Sequence, residues 1–130
     1  MAAYSGTPLQ KKLGLTDVTS ACALRPPVGF CEQFEGLHWV GLPDQPTLIV
    51  AFTVWQNEVT WPVWAEATGP HGVIWVAWPK KASKVPTDLN GNIWRELVLP
   101  TGWVDVKVCA IDDTWSGLKF VLRKELRPPR

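Results

Sequence analysis

Two apolar runs constrain this chain more than any other feature of it. Thr47-Leu48-Ile49-Val50-Ala51-Phe52 and Val73-Ile74-Trp75-Val76-Ala77-Trp78 show no alternation of polar and apolar residues. A strand with one wet face alternates, whereas a strand covered on both faces does not. Both runs are therefore expected as inner strands of a sheet with helices on both faces. Between them, Trp55 and Val59 stand one helical turn apart in a segment running from Val54 to Gly69. Pro62 lacks an N–H and should kink that helix or begin a second one.

The remaining segments fit around these two. Thr7-Pro8-Leu9-Gln10-Lys11-Lys12-Leu13-Gly14 reads as one or two helical turns: Thr7 suits the N-cap, Pro8 the first helical position and Gly14 the stop, with Leu9 and Leu13 docked. Val18 to Leu24 is a small-residue apolar run expected as a buried strand. It stops at Arg25-Pro26-Pro27-Val28-Gly29, where proline cannot donate to a ladder. A short helix from Phe30 to Leu37 and a weak strand from His38 to Leu42 follow. Further on, Thr87 or Asp88 caps a helix whose stripe is Leu89, Ile93 and Leu97, ended by Pro100 and Gly102. Trp103 to Ile111 is a strand, Asp112 to Gly117 a turn, and Leu118 to Arg123 the returning antiparallel partner. Strands and helices alternate up to the final hairpin, the order that right-handed crossovers produce. The expected fold is α/β, a short, mostly parallel, Rossmann-like sheet. Segments 47–52, 73–78 and 104–111 should be parallel neighbours, with 118–123 antiparallel at the edge.

At 130 residues the chain fits one domain spanning 1–130, with a helical segment at 1–15 and a basic tail at 124–130. Its 46% hydrophobic and 19% charged content suits a packed core rather than disorder. A net charge of +1 provides no field for polyanions, so nucleic acid is not an expected partner. The tail Arg123-Lys124-Glu125-Leu126-Arg127-Pro128-Pro129-Arg130 is read as solvated. Met1-Ala2-Ala3-Tyr4-Ser5-Gly6 lacks the basic start and apolar run of a secretion signal, and no stretch is apolar enough for a membrane span. Cys22, Cys31 and Cys109 are odd in number and lack Cys-x-x-Cys spacing, which argues against a disulfide framework and against zinc. The expectation is a cytoplasmic protein with reduced thiols, no metal and no cofactor. Nine tryptophans against one tyrosine could line a groove or a subunit contact, or fill the core, and core filling is the favoured reading.

Ligands of open parallel sheets bind along the carboxyl edge of the strands. The expected fold delivers Arg25, Thr53, Gln56 and the loop Pro79-Lys80-Lys81-Ala82-Ser83-Lys84 to that edge, together with Asp112, Asp113, Trp115 and Ser116. Lys80, Lys81, Ser83, Asp112, Asp113, Trp115 and Ser116 form the candidate ligand site. Ammoniums, carboxylates, hydroxyls and an indole gathered there suit a small polar or anionic ligand. The competing reading has the lysines solvated and the two aspartates bonded to turn amides. No reaction is legible. His38 and His71 have no recognisable Ser or Cys partner, and neither a P-loop nor a Gly-x-Gly-x-x-Gly is present.

The block from Val73 to Lys124 resembles a bacterial family of proteins of unknown function. It carries Trp75-Val76-Ala77-Trp78-Pro79-Lys80-Lys81-Ala82-Ser83, Thr87-Asp88-Leu89, Val104-Asp105-Val106-Lys107-Val108-Cys109-Ala110-Ile111-Asp112 and Thr114-Trp115-Ser116-Gly117-Leu118-Lys119-Phe120. Tyr4-Ser5-Gly6-Thr7-Pro8-Leu9 and Lys11-Lys12-Leu13-Gly14 resemble the family's start. The resemblance implies a truncated relative of the Rossmann-like methyltransferase fold and no established activity. S-adenosylmethionine chemistry is the enzyme reading that it suggests. The chain departs from it at Arg25-Pro26-Pro27-Val28-Gly29, where a cofactor cradle needs glycines, and in offering only Asp44 beyond Pro43 for the ribose. The preferred function is a non-catalytic module that binds a small polar or anionic ligand or a protein partner. A degenerate methyltransferase and a homo-oligomeric scaffold with an interface at Trp55, Trp61 and Trp64 are the alternatives.

Overall fold

The computed structural model describes residues 8–16 and 20–130. Helix α1 (Leu9–Lys12) precedes β1 (Ala21–Leu24), β2 (Leu48–Phe52), α2 (Trp61–Thr68), β3 (Val73–Pro79), α3 (Gly91–Val98), β4 (Trp103–Ala110) and β5 (Trp115–Leu122). Thr7 and the beginning of the expected 18–24 strand lie outside the described residues.

The strands form one sheet in the order β1-β2-β3-β5-β4. As the uninterrupted apolar runs require, β2 is buried along its whole length and pairs in parallel with β1 and β3. Thr53, the buried polar residue of this region, extends β2 by donating its N–H to the Ala77 carbonyl at 2.9 Å. The other half of the sheet is antiparallel, because β5 pairs antiparallel with both β3 and β4.

This arrangement overturns the Rossmann-like, mostly parallel expectation in three respects. First, β5 is interior and β4 takes the edge, so 104–111 does not neighbour 73–78. The physical reason is residue type. Gly117, Leu118 and Phe120 of β5 are buried, whereas Val106 and Val108 of β4 are 52% and 65% exposed around a bulge between Asp105 and Lys107. A bulge and a lysine are the marks of an edge strand. Second, no strand forms at 38–42, where the contact with the sheet is a single bridge between Ala21 and Trp39. Third, no crossover helix joins β1 to β2. That connection holds Pro26, Pro27, Pro43 and Pro46 and yields single 3₁₀ turns at Cys31–Gln33 and Leu42–Asp44. The result is a small, β-rich mixed sheet.

The helices are accordingly unequal. Trp61 and Trp64 of α2 and Trp94 and Val98 of α3 pack on one face, against Ile49, Ile74, Val76, Leu118 and Phe120. The opposite face, carrying Leu48, Val50, Phe52, Trp75 and Ala77, is covered by Leu13, Leu15, Phe30 and Phe34. Among the described residues the only α-helix on that side is the single turn of α1. Pro62 begins α2 rather than kinking a longer helix, because its missing N–H is harmless in the first turn. Helix α3 starts later than expected. Asn90, not Thr87 or Asp88, caps it by accepting the Ile93 N–H at 2.9 Å. Of the expected stripe, Leu89 is buried and Ile93 packs against the same core, but Trp94 and Val98 are the buried positions of α3 and Leu97 is 39% exposed.

Candidate functional site

Residue by residue, the carboxyl edge is built as follows. Strands β1, β2 and β3 all end there, and so does β4, since it runs antiparallel to β5 as β3 does. The loop after β3 and the β4–β5 turn are joined directly, because the Lys80 N–H donates to the Thr114 carbonyl at 2.7 Å. Pro79 lies opposite Trp115 in the ladder. The two segments named from sequence thus meet.

Their side chains do not all converge. A carboxylate oxygen of Asp112 accepts the N–H groups of Thr114 and Trp115, both at 2.8 Å, which closes the hairpin as an Asx turn. The Ser83 hydroxyl donates to the Lys80 carbonyl at 2.7 Å and accepts the Val85 N–H at 3.2 Å, fixing the 3₁₀ turn Lys81–Ser83. These two groups hold the loops in shape. Trp115 and Ser116 point to opposite faces, as strand alternation dictates. Trp115 stands edge-on to Phe52 at a centroid distance of 5.1 Å, on the α1 side of the sheet. Ser116 lies opposite Trp78, on the α2–α3 side. Asp113 and Lys81 are exposed and Lys80 is half-buried. Among the described residues no ion pair joins Lys80, Lys81 or Lys84 to a carboxylate.

The same edge carries a cluster of which the sequence named Arg25 and Gln56 but not Glu58, the residue that joins it. Arg25, at a left-handed φ of 52°, places its guanidinium 3.0 Å from the Glu58 carboxylate. That carboxylate also accepts the N–H groups of Val54 at 2.6 Å and Trp55 at 3.1 Å. The Val54 hydrogen bond is the main cause holding the Glu58 carboxyl below its ordinary value, helped by the Trp55 N–H and the Arg25 charge and opposed by burial. The legible signal was half of a capping box, a glutamate at the third position of the turn Gln56–Glu58 reaching back to the residue that precedes it. Asp88 ties in the next loop by accepting the Gln56 N–H at 2.8 Å. The Thr87 hydroxyl donates to the Val54 carbonyl.

Burial pushes the thiols of Cys22, Cys31 and Cys109 up, which disfavours the nucleophilic thiolate. Among the described residues no group of three His, Cys, Asp or Glu side chains could hold a metal ion. No helix among them is long and apolar enough to cross a membrane. The scaffold patch expected at Trp55, Trp61 and Trp64 is not formed, since Trp61 and Trp64 are buried and Trp55 alone is exposed, at 43%. Arg25, paired with Glu58, follows β1 at the place where a cofactor cradle would need glycines. No protein-family model matches this chain, and no curated protein matches it.

Proposed function

We propose that this domain is a non-catalytic binding module that takes a small anionic ligand on the loop from Lys80 to Lys84. One observation carries the reading. Three lysines sit on a single loop at the carboxyl edge with no ionic partner among the described residues, while the neighbouring Asp112 carboxylate is engaged by two backbone amides. Surface ion pairs contribute about 0–1 kcal/mol, so unpaired lysines on a well-formed loop are a weak source of stability. Trp115 beside the loop supplies an apolar wall of the kind small-ligand sites use. The free, burial-raised thiols fit a cytoplasmic setting, and the 73–124 block supports kinship with the bacterial family that it resembles.

The test is calorimetric titration of the protein with pyrophosphate, beside native mass spectrometry of protein purified gently from its own host. Binding that is lost in a Lys80→Gln, Lys81→Gln, Lys84→Gln variant with an unchanged melting temperature supports the reading. Absence of both a heat of binding and a retained small molecule overturns it.

A further inference from the structure

The face of the sheet that α1 covers holds a second group of lysines. In the ladder Lys119 of β5 lies between Trp75 of β3 and Lys107 of β4. Residues directly opposite in an antiparallel pair project to the same face, so the two ammoniums share one side of the sheet. Like charges placed this way repel and destabilise the pair. Lys119 is half-buried, which removes part of the water that would screen the repulsion. The Lys107 ammonium donates to the Lys12 carbonyl at 3.4 Å, which brings the end of α1, with Lys12, beside the pair. The charges of Lys12 and Lys107 both oppose the effect of burial on the Cys109 thiol.

Nothing among the described residues compensates this cluster. The three ion pairs are Arg25 with Glu58, Arg95 with Asp105, and Arg123 with Glu125. Asp105, the acidic residue of β4, faces the other way and is held by Arg95 of α3 at 3.0 Å. One neutral carbonyl contact for Lys107 cancels none of the three charges. Burial is the first cause, and the Lys107 charge the second, of a Lys119 ammonium that loses its proton more easily than an ordinary lysine.

The geometry points to an anion site formed by Lys12, Lys107 and Lys119 on the α1-covered face, taking a doubly charged oxyanion the size of a phosphate group. An oxyanion there would replace ammonium–ammonium repulsion with charge-assisted hydrogen bonds, which are the stronger kind. The site is separate from the Lys80–Lys84 loop, and its success or failure is read independently of that loop.

The experiment is titration of the ¹⁵N-labelled full chain with inorganic phosphate and with glycerol 3-phosphate. A chloride series at matched ionic strength and pH is the control, and melting temperatures are recorded alongside. The expected result is saturable shifts of the Lys107, Cys109 and Lys119 amides with either phosphate and not with chloride. A stronger response to glycerol 3-phosphate assigns the site to esters, and an equal one to the free ion. Lys119→Gln and Lys107→Gln should each weaken this response roughly tenfold, the loss of one charge-assisted contact, and each should raise the melting temperature in chloride. Two results overturn the site. One is that the three amides shift no more with phosphate than with chloride. The other is that both glutamine variants melt lower in chloride and still respond to phosphate, which would mean that the charges are balanced within the chain.

Discussion

The Asp112 carboxylate accepts the Trp115 N–H at 2.8 Å, and the same oxygen accepts that of Thr114. This residue stood among the candidates for ligand contact, and its geometry is that of a hairpin clasp. Asp112→Ala should destabilise the domain by about 1–2 kcal/mol, the scale of a lost side-chain cap on backbone amides. Asp112→Asn keeps an acceptor oxygen and should lose less than half as much. Urea unfolding of the two variants checks the order, and equal losses would mean that charge, not acceptance, holds the turn.

Trp75 ties the two layers together. Its indole N–H donates to the Leu13 carbonyl at 2.9 Å, and both residues are fully buried. Trp75→Phe retains most of the apolar contact and leaves a buried acceptor unpaired, at about 1–3 kcal/mol. Trp75→Ala adds a cavity and should cost about 3–5 kcal/mol. Denaturation midpoints distinguish the two. If the phenylalanine variant matches wild type, the bond contributes nothing net.

Much of the sheet was legible because β2 and β3 are apolar without alternation, a pattern that only two-sided burial explains. The wrong parts were the strand expected at 38–42, the crossover helix expected before it and the order of the last two strands. A hairpin can enter a sheet by either arm, and the turn Asp112–Thr114 is the same in both cases. The deciding residues were present all the same: Asp105 and Lys107 mark β4 as the wetter arm, and Gly117 with Leu118 and Phe120 marks β5 as the inner one. The helix start at Asn90 was missed because Thr87 and Asp88 are equally good caps, and tertiary contacts with Val54 and Gln56 claimed them. At the site, strand direction put both loops at one edge, but they meet through Thr114, just before the inserted β5, and not because β3 and β4 are neighbours. Which side chains would be engaged by backbone amides depends on turn geometry that residue types do not specify.

Gly117 shows how tightly β5 is inserted. A Cβ built there would lie 3.2 Å from both Trp75 Cε3 and Ile111 Cδ1 and 3.4 Å from the Cys109 carbonyl oxygen. Gly117→Ala should therefore overpack the α1-covered face and cost about 1–3 kcal/mol, with a lower melting temperature in thermal unfolding. A neutral or stabilising outcome would mean that Trp75 shifts aside without loss.

The Glu58 cluster should make stability depend on pH at the acid end. Its carboxyl is held below the ordinary value of 4.5, first by the Val54 N–H and then by the Trp55 N–H and Arg25. A group whose folded value is depressed binds protons more weakly in the folded than in the unfolded chain. Its stabilisation is therefore complete above the unfolded value and disappears as pH falls through the folded one. Glu58→Gln removes that titration, so the difference in unfolding free energy between wild type and variant should be largest near neutral pH and shrink on acidification below about 4.5. Arg25→Gln should produce the same trend in weaker form, because the guanidinium is the smaller contributor and is largely exposed. Urea unfolding at a series of pH values tests this. A wild-type-to-variant difference that stays constant from neutral pH down to the acid transition would show that the carboxylate does not stabilise the folded state through its charge.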